Sequence, residues 1–396
     1  AAINAAVAAG AGANGWTADL VLDPTQSLTQ AQINAQLKAL NIDYDKVVTV
    51  GASGADFTTI NAALTELYKY KKVYIADNSF SNTRAKILLK SGFVAKEQIN
   101  INGQDFSWID IVSEDAEVVI SRQALTQKIG RWYPFIRCKN GATPAIKTLF
   151  NMDSTGTATA RVGIYLINSS CFVEENYGVK NSSGRNVDVT QGSILDAGRG
   201  IFTGSGDVAI RVATASRAFL QYVNVSGSVY GISCAGSAGL SINEINATNC
   251  TITAVEIQGG VSVELAGSDL SGAGEYGLYV SQNATVNANL LKANNSKYGV
   301  YVDNSAVVNL TGATITNNTE AGVRAENGSI VSGKNITATG NKINLYAAKG
   351  GRITANVSTL TGATQTGLFA SENGQIIATT SNYRKTVGVD STSDAQ

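Results

Sequence analysis

One hydrophobic pattern recurs along the chain from Gly231 onwards. It restarts at Ala254, Gly277, Gly299, Gly322, Asn344 and Gly367, in steps of 23, 23, 22, 23, 22 and 23 residues. A period this constant indicates a solenoid, in which each repeat stacks on the repeat before it.

Each repeat contains two or three short strands. Apolar residues alternate with variable ones, which is the period of a half-buried strand. The inward residues of the first strand are Ile232, Val255, Leu278, Val300, Val323, Leu345 and Leu368. Those of the second are Leu240, Val263, Val286, Val308, Val331, Ile353 and Ile376, and those of the third are Ala247, Leu270, Ala293, Ile315, Ala338 and Leu360. The pattern predicts an all-β fold, an elongated right-handed parallel β-helix with 22–23 residues per coil.

The pattern divides the chain into four parts. Residues 1–45 are predicted to be a linker with a short helix at Thr29 to Leu40. Residues 46–150 are expected to hold a capping helix and the first coils, residues 151–385 the body of the β-helix, and residues 386–396 a polar tail. In the body, Gly163, Gly200 and Gly231 begin similar motifs 37 and 31 residues apart, so loop insertions are predicted within 160–230.

The capping helix is predicted from helical spacing before the first coils. Residues Asn61–Lys69 follow a turn-rich stretch, and apolar residues recur on one helical face at Ile60, Ala63, Leu64 and Leu67. Asp56 or Thr58 is the expected N-cap. Such a helix would cover the open end of the first coil and block edge-to-edge pairing. Further strands are predicted at Lys46–Val50, Val73–Ile75, Ile109–Val112 and Val118–Ile120.

Composition narrows the classes of partner. The 396 residues carry 30 basic and 30 acidic side chains and contain no basic run, which does not favour nucleic acid as a ligand. No apolar stretch approaches about 18 residues, so no membrane insertion is expected. The chain begins at Ala1 without a charged n-region, so we expect no secretory signal and a piece of a longer protein.

Histidine is absent, which removes Ser-His-Asp and Cys-His machinery and most zinc sites. Any acid–base chemistry must then use Asp, Glu, Tyr, Lys or Arg. The four cysteines, Cys138, Cys171, Cys234 and Cys250, lack metal-ligand spacing and are expected to be buried thiols. The sequence therefore predicts no metal site and no cofactor.

Several stretches together carry a resemblance to a known family. An Ala-rich segment with Gly15-Trp16-Thr17, a small helix, and the Gly51-x-x-Gly54-Ala55-Asp56-Phe57-x-Thr59-Ile60 entry precede the β-helix. In this arrangement the chain resembles bacteriophage tailspikes, in particular those of phages that infect encapsulated Gram-negative bacteria such as Acinetobacter.

The resemblance implies a homotrimeric host-recognition protein of the virion, acting outside the cell at the host surface. It implies binding, and usually cleavage, of capsular polysaccharide, and attachment to the rest of the phage tail through an N-terminal domain that would precede this chain. The family has no universal catalytic motif, so no residue is carried over from it.

The variable position of the first strand forms an outward column rich in aromatic residues. Its members are Tyr165, Phe202, Ser233, Glu256, Tyr279, Tyr301, Arg324, Tyr346 and Phe369. Sugar rings stack on aromatic faces and sugar hydroxyls pair with charged groups, so Tyr165, Phe202, Tyr279, Tyr301, Arg324 and Tyr346 are predicted to bind substrate. An apolar seam between subunits of a trimer is the competing interpretation.

Asp303 and Glu326 occupy one position in consecutive coils. Stacked strands lie about 4.8 Å apart, close to the separation of about 5–5.5 Å that retaining glycosidases use, and splayed side chains would give the inverting range of about 6.5–9.5 Å. Repulsion between two close carboxylates would raise the pKa of one of them and supply an acid beside a base. The pair is a candidate catalytic pair, and two solvated turn residues are the alternative.

Other carboxylates compete for the catalytic role. Glu256 lies at the start of the regular coils, and Asp207, Asp196 and Glu174 lie in the stretch of predicted insertions, which in solenoids often form the binding face. In contrast, Glu275, Lys297, Glu320 and Lys342 share one column with alternating charge and are interpreted as exposed pairs that need no ligand.

Three functions follow from these features. The first is hydrolysis of a capsular polysaccharide by paired carboxylates. The second is β-elimination from a uronic acid, in which Tyr, Lys or Arg replaces histidine. The third is a non-catalytic adhesin that binds the same polysaccharide without shortening it.

Overall fold

The computed structural model describes residues 46–70, 84–153, 158–236 and 238–383, and two short strands after them. Within these residues the chain is a parallel β-helix, as predicted, with three sheets that run along its length. The predicted linker and helix of residues 1–45 and the strand at Val73–Ile75 lie outside the described residues.

Sheet 1 is the longest and has 13 parallel strands. They are Ile99–Asn102, Tyr133–Lys139, Arg161–Ile167, Val187–Thr190, Val208–Ala213, Tyr230–Ala235, Thr253–Gln258, Tyr276–Ser281, Tyr298–Val302, Ala321–Ala325, Ile343–Ala347, Thr366–Ala370 and Val387–Val389. Each strand pairs with the strand one coil earlier and the strand one coil later, so one sheet carries a side chain from nearly every coil.

Sheet 2 has 11 parallel strands. They are Ser170–Phe172, Ile194–Asp196, Arg217–Phe219, Gly239–Ser241, Ser262–Glu264, Thr285–Asn287, Val307–Asn309, Ile330–Lys334, Arg352–Asn356, Gln375–Ile377 and Asp394–Ala395. The last strands of sheets 1 and 2 lie after residue 385, so the sheets extend into the segment expected to be a polar tail.

Sheet 3 has full strands at its two ends and single-residue bridges in its middle. Its first part holds Val47–Val50, Ala85–Leu89, Val94–Ala95, Ile109–Ile120, Ala145–Met152 and Gly178–Lys180, and its second part holds Thr314–Thr316, Thr337–Thr339, Thr359–Leu360 and Asn382–Tyr383. Single bridges from Gly178 through Ile201, Asn224, Asn246, Asp269 and Lys292 to Thr314 join the parts. The two predicted strands between residues 109 and 120 are one strand, with a shift in register between Val112 and Glu117.

The register of the coils places all three predicted apolar columns in one continuous core. Ile232 pairs with Val255, Leu240 with Val263, and the third-column residue Ala247 is fully buried one position after a bridge residue. Burial of a Val, Leu or Ile side chain contributes roughly 1.5–3 kcal/mol. Because each coil supplies several such residues and none covers its own core, the stacking of coils is what stabilises the fold.

Glycine begins most repeats because there is no space for a Cβ atom. A Cβ at Gly299 would lie 2.7 Å from the carbonyl oxygen of Gly322 and 2.5 Å from Cγ2 of Ile315. A Cβ at Gly277 would lie 2.6 Å from the carbonyl oxygen of Gly299. Tight contact between coils therefore explains the repeated glycine.

The repeat continues without insertions through residues 160–230, contrary to the prediction. Ile164 pairs with Val187, Val187 with Ile210, and Ile210 with Ile232, so each coil has the length of those that follow. The positions that precede these residues are Gly163, Asn186, Ala209 and Gly231. Two coils in this stretch thus begin without glycine, and the motif at Gly200 belongs to a bend and not to a coil start.

The predicted helix is present at Ile60–Tyr68, and its buried residues are Ile60, Ala63, Leu64 and Leu67. Its N-cap is Thr59, whose side chain accepts a hydrogen bond from Ala62 N, in place of the expected Asp56 or Thr58. The side chain of Asp56 instead accepts two hydrogen bonds from Thr49, one from the backbone N and one from the hydroxyl, both 2.8 Å long. The helix packs against the strands Val47–Val50 and Ala85–Leu89, and its role in closing the end of the solenoid stays a prediction.

A carboxylate supports the start of this helix. Glu97 accepts hydrogen bonds from Ile60 N at 2.6 Å and Asn61 N at 3.0 Å, two N–H groups that have no partner inside the helix. Burial raises the pKa of Glu97 in spite of these bonds. The only other helical turn in the described residues is the short 3-10 helix Arg122–Ala124, and none of the described helices is long and apolar enough to cross a membrane.

The four cysteines are free and buried, as expected. Burial raises the pKa of Cys234 and of Cys171 to about 12, and that of Cys138 and of Cys250 to about 11. Thiols of this kind are protonated at neutral pH and fill space in the core.

Candidate functional site

The outward column of sheet 1 is continuous along the solenoid. Direct strand pairing aligns Arg137, Tyr165, Asp188, Arg211, Ser233, Glu256, Tyr279, Tyr301, Arg324, Tyr346 and Phe369. All except Asp188 are partly exposed. Consecutive members are about 4.8 Å apart along the sheet, which gives a ladder of side chains suited to an elongated ligand.

Phe202 does not belong to this column, and its predicted role in substrate binding is wrong. Its side chain is fully buried in the core. Ile201 before it bridges Gly178 and Asn224 in sheet 3, so Phe202 lies at a bend on another side of the coil. The column positions between Tyr165 and Ser233 belong instead to Asp188 and Arg211.

Four tyrosines form a compact cluster on two neighbouring strands of sheet 1. Tyr276 is stacked on Tyr298 with ring centroids 5.5 Å apart and an interplanar angle of 15°. Tyr276 also lies 5.2 Å from Tyr279 and 5.3 Å from Tyr301, and Tyr279 lies 5.7 Å from Tyr301. We call these four residues, together with Arg324 and Tyr346, the tyrosine end of the sheet 1 face.

Tyr276 and Tyr298 were missed in the sequence. Each directly precedes a glycine that begins a repeat, as Tyr230 does before Gly231, so a search of the residue before each repeat start would have found them. Their rings contact those of Tyr279 and Tyr301, so they share the outward face with the predicted column.

Arg324 continues the tyrosine cluster into the next coils. Its guanidinium carbon is 5.3 Å from the ring centroid of Tyr301, 5.7 Å from that of Tyr298 and 4.7 Å from that of Tyr346. Such cation–π contacts fix the guanidinium over the sheet. Beyond it, Tyr346 meets Phe369 edge to face at 5.0 Å.

Glu326 is held by two members of the tyrosine end. Arg324 donates from Nη2 at 2.7 Å and Nε at 3.1 Å to Oε2, and the Tyr301 hydroxyl donates to Oε1. Burial alone would raise the pKa of Glu326, but these hydrogen bonds outweigh it and the pKa is lowered. The carboxylate is ionised at neutral pH and positions Tyr301 and Arg324.

The hydroxyls of Tyr301 and Tyr276 stay protonated at neutral pH. Burial first, and then the hydrogen bond to Glu326, raise the pKa of Tyr301. Burial, followed by the charge of Glu275, also raises the pKa of Tyr276. At neutral pH the site therefore combines protonated hydroxyls, an ionised carboxylate and a guanidinium.

Asp303 is one coil before Glu326, as predicted, but the two carboxylates have different partners. Asp303 accepts hydrogen bonds from Asn304 N at 2.8 Å, from Asn304 Nδ2 at 3.1 Å and from Asn327 Nδ2 at 2.6 Å. It thus belongs to a turn at the edge of the sheet, whereas Glu326 lies against the tyrosine end.

Glu256 lies on the same outward face, three coils before Glu326. It accepts hydrogen bonds from Ser233 Oγ at 3.0 Å and Gln258 Nε2 at 2.7 Å. Burial raises the pKa of Tyr230, and the charges of Glu256, Asp207 and Glu275 raise it further. Glu256 and Asp207 therefore both lie within electrostatic reach of one tyrosine hydroxyl.

Arginines dominate the first coils of the sheet 1 face. Arg185 donates to Asp188 at 2.6 Å and to Asp207 at 3.1 Å, and Arg211 donates to Asp188 at 3.2 Å. The side chains of Asp188 and Arg185 are only 3% and 7% exposed. We call Arg137, Tyr165, Arg185, Asp188, Asp207 and Arg211 the arginine end.

Tyr165 occupies the middle of the arginine end. Burial raises its pKa, the charge of Asp188 raises it further, and Arg185, Arg211 and Arg137 lower it. All four charged groups therefore lie close to its hydroxyl. The arginine end thus brings together two residues that the sequence analysis proposed for the site, Tyr165 and Asp207. It adds three residues to which that analysis gave no role: Arg137, Asp188 and Arg211.

Two predicted catalytic residues lie away from the sheet 1 face. Asp196 is on sheet 2 between Phe172 and Phe219, beside a cavity of about 200 Å³. Glu174 follows a bridge of sheet 3 and pairs with Lys147 at 3.4 Å. Among the described residues there is no group of three His, Cys, Asp or Glu side chains that would hold a metal ion.

Comparisons with known proteins agree on the fold. Neither a scan against protein-family models nor a comparison with curated protein sequences finds a match. Among solved structures, the chain is similar to the Azotobacter vinelandii mannuronan C-5 epimerase AlgE4 A-module, with 12% identity, a TM-score of 0.50, and coverage of 88% of this chain and 100% of that chain. A double mutant of the periplasmic alginate epimerase AlgG gives 12% identity, a TM-score of 0.51 and coverage of 78% of both chains.

The gp42 tailspike of Acinetobacter phage vb_AbaP_AS12 is also similar, with 10% identity and a TM-score of 0.41. The match covers 86% of this chain and 63% of that chain. At 12% identity, the similarity to the two epimerase structures shows the fold alone, a β-helix.

Proposed function

We propose that this protein recognises and cleaves a bacterial surface polysaccharide along the outward face of sheet 1. The observation that carries the proposal is the tyrosine end, where four rings, in contacting pairs with centroids 5.2–5.7 Å apart, adjoin a fixed guanidinium. Aromatic faces stack on sugar rings, and a rigid ladder about 4.8 Å per step suits a polymer lying along the solenoid. The similar structures include a mannuronan C-5 epimerase and an alginate epimerase, which both act on a polysaccharide.

The proposed biological setting is that of a tailspike. In it, the protein is a homotrimer carried on the phage tail, and it acts on capsular polysaccharide outside the host cell. Sedimentation of the purified protein tests the oligomeric state. A mass of one chain would contradict the trimer and leave the polysaccharide site as it is.

Hydrolysis is the proposed reaction, with Asp303 and Glu326 as the catalytic carboxylates. The ionised Glu326, fixed by Tyr301 and Arg324, suits a base or a nucleophile. The proposal requires Asp303 to act as the acid, because the lowered pKa of Glu326 is unsuited to proton donation. Asp303 would have to leave its asparagine partners when substrate binds.

A second candidate reaction is β-elimination, and the geometry at Tyr301 favours it in one respect. Elimination next to a uronate needs a base for the carbon-bound proton, an acid for the leaving glycosidic oxygen and neutralisation of the carboxylate. In this proposal the ionised Glu326 would take the proton, the protonated Tyr301 hydroxyl would donate to the leaving oxygen, and the Arg324 guanidinium would neutralise the uronate. None of these groups requires histidine.

One assay separates the candidates. Purified protein is incubated with capsular polysaccharides from encapsulated Gram-negative bacteria, and the products are analysed by size and mass. Saturated oligosaccharides with new reducing ends indicate hydrolysis, and unsaturated products that absorb ultraviolet light indicate elimination. Binding with unchanged polymer length would identify an adhesin and overturn cleavage.

Site variants assign the reaction to the sheet 1 face. Glu326→Gln and Asp303→Asn are each expected to lower the cleavage rate by about 100-fold or more. Glu264→Gln is the matched control, because Glu264 is an exposed carboxylate on sheet 2 bonded to Asn287 at 2.7 Å. Cleavage that survives both site variants at full rate would disprove the assignment while leaving the enzyme in place.

A further inference from the structure

The arginine end carries more positive charge than its carboxylates balance. Three guanidinium groups (Arg137, Arg185, Arg211) meet two carboxylates (Asp188, Asp207), which leaves one positive charge. Two further guanidinium groups add positive charge near Trp132 and Tyr133. The guanidinium of Arg131 is 4.5 Å from the Trp132 ring centroid, and that of Arg161 is 4.1 Å from the Tyr133 ring centroid.

Of the three arginines of the arginine end, Arg137 is the one without a carboxylate partner. Its Nη1 donates to Asn100 Oδ1 at 2.7 Å, and its Nε is buried without a hydrogen-bond partner. Within the part of the chain that the structure describes, it makes no ion pair. Arg161 likewise uses neutral partners, donating to the carbonyl oxygens of Arg122 at 2.9 Å and Thr159 at 2.8 Å.

Three cations further along the solenoid each have a carboxylate partner. Lys297 pairs with Glu275 at 3.8 Å, Lys342 with Glu320 at 2.8 Å, and Arg324 with Glu326 at 2.7 Å. Placing several uncompensated guanidinium groups on one partly desolvated face costs free energy through like-charge repulsion and desolvation. A ligand that brings negative charge would offset this cost.

We infer that Arg137 and the neighbouring arginine end form a subsite for the carboxylate of an acidic sugar. A guanidinium binds a carboxylate through two parallel N–H donors, which gives both charge and orientation. Tyr165, one coil further on, presents a ring beside this position. The inference rests on the proposed function in that the acidic sugar would be a unit of the bound polysaccharide, which would run from the arginine end to the tyrosine end.

Binding of a charged oligosaccharide and of its neutral form tests the subsite. Oligogalacturonate and the same oligosaccharide with its carboxylates methyl-esterified are titrated into the full chain by calorimetry. We expect the charged form to bind at least about tenfold more tightly and to weaken as salt is added, because screening reduces charge attraction. Equal affinity for the two forms, or no binding of the charged form, would overturn the inference.

Variants at Arg137 give the second readout. Arg137→Ala is expected to weaken binding of oligogalacturonate by about tenfold or more, since it removes a charged hydrogen-bonding partner. Arg137→Lys keeps the positive charge but loses the planar pair of N–H donors. Its affinity for oligogalacturonate should therefore lie between that of the wild type and that of Arg137→Ala. Arg217→Ala, an exposed arginine on sheet 2, is the control and should bind as the wild type does.

The two proposals can fail separately. If a capsular polysaccharide is cleaved but oligogalacturonate binding is unchanged in Arg137→Ala, the acidic subsite is wrong and cleavage stands. If Arg137→Ala removes binding but no polysaccharide is cleaved, the subsite stands and the enzyme is wrong. Thermal unfolding of each variant confirms that it is folded, and Arg137→Lys retains the test if Arg137→Ala does not fold.

Discussion

At the arginine end, successive outward positions of sheet 1 hold Tyr165, Asp188 and Arg211, whereas at the tyrosine end the same positions hold Tyr279, Tyr301 and Arg324. The backbone is the same in both regions, with parallel strands in direct register. The first region uses buried ionic groups, and the second uses aromatic rings around one ion pair. A solenoid can therefore change the chemistry of its surface from coil to coil without changing its core.

The two regions also differ in the free energy required to bury their side chains. Asp188 and Arg185 are almost fully enclosed, so their charges depend on the ion pairs they make with each other, with Arg211 and with Asp207 for compensation. The tyrosines bury apolar rings and keep hydroxyls at the surface, so they contribute stability with less dependence on any one partner. Substitutions should expose this contrast, and four predictions follow in order of effect.

Loss of Asp188 should have the largest effect on stability. Asp188→Ala removes the carboxylate partner of Arg211 and leaves Arg185 with Asp207 alone, and removing one partner of a buried ion pair costs about 3–5 kcal/mol. Urea unfolding followed by circular dichroism measures the change in midpoint. Glu175→Ala is the control, because the ion pair of Glu175 with Arg199 is exposed and should contribute less than about 1 kcal/mol. Equal losses in the two variants would show that the arginine end is solvated.

Removal of one ring from the tyrosine end should cost less. Tyr276 contacts three other rings, at 5.2, 5.3 and 5.5 Å, and each aromatic pair adds about 0.5–1.5 kcal/mol. Tyr276→Ala should therefore destabilise the chain by about 2–4 kcal/mol in the same unfolding experiment. Tyr276→Phe keeps the ring and should recover most of this loss. A Phe variant as unstable as the Ala variant would assign the effect to the hydroxyl.

Acid should weaken the tyrosine end through Glu326. Its pKa is lowered in the folded protein, so the stability it contributes is present above the unfolded pKa of about 4.3 and is lost as the pH falls through the folded value. The difference in unfolding free energy between wild type and Glu326→Gln should be constant from neutral pH down to about 5 and should shrink below about 4. A difference that grows on acidification would contradict the ionised assignment.

The sequence predicted the tyrosine end better than the arginine end, for a physical reason. Of the six repeats after Gly231, four begin with glycine, because a Cβ atom would meet the next coil. The other two, at Ala254 and Asn344, each lie between glycine starts, so the register is marked throughout. In the two coils before Gly231 the equivalent positions are Asn186 and Ala209, so a search guided by glycine passed over them and placed Phe202 in the column.

Within the coils that were predicted correctly, the pairing register of the strands also explains why the contacts of Asp303 and Glu326 could not be predicted. Pairing fixes which residues share a column, and so Asp303 and Glu326 were placed in consecutive coils. It does not fix side-chain torsions. Glu326 accepts hydrogen bonds from Tyr301 and Arg324, and Asp303 accepts its own from Asn304 and Asn327, so each carboxylate lies against its own donors.

The smallest effect is expected for the exposed charge series beside the tyrosine end. Lys342 pairs with Glu320 at 2.8 Å, but both side chains are 41% exposed, so solvent screens the pair and the ordering of two long side chains offsets much of the attraction. Lys342→Ala should change the unfolding free energy by less than about 0.5 kcal/mol, and the double variant with Glu320→Ala should show a coupling of similar size. The measurement is a double-mutant cycle at low and high salt. A coupling above about 2 kcal/mol that survives high salt would show that this column, like the arginine end, is shielded from solvent, and would place it inside an interface with another molecule.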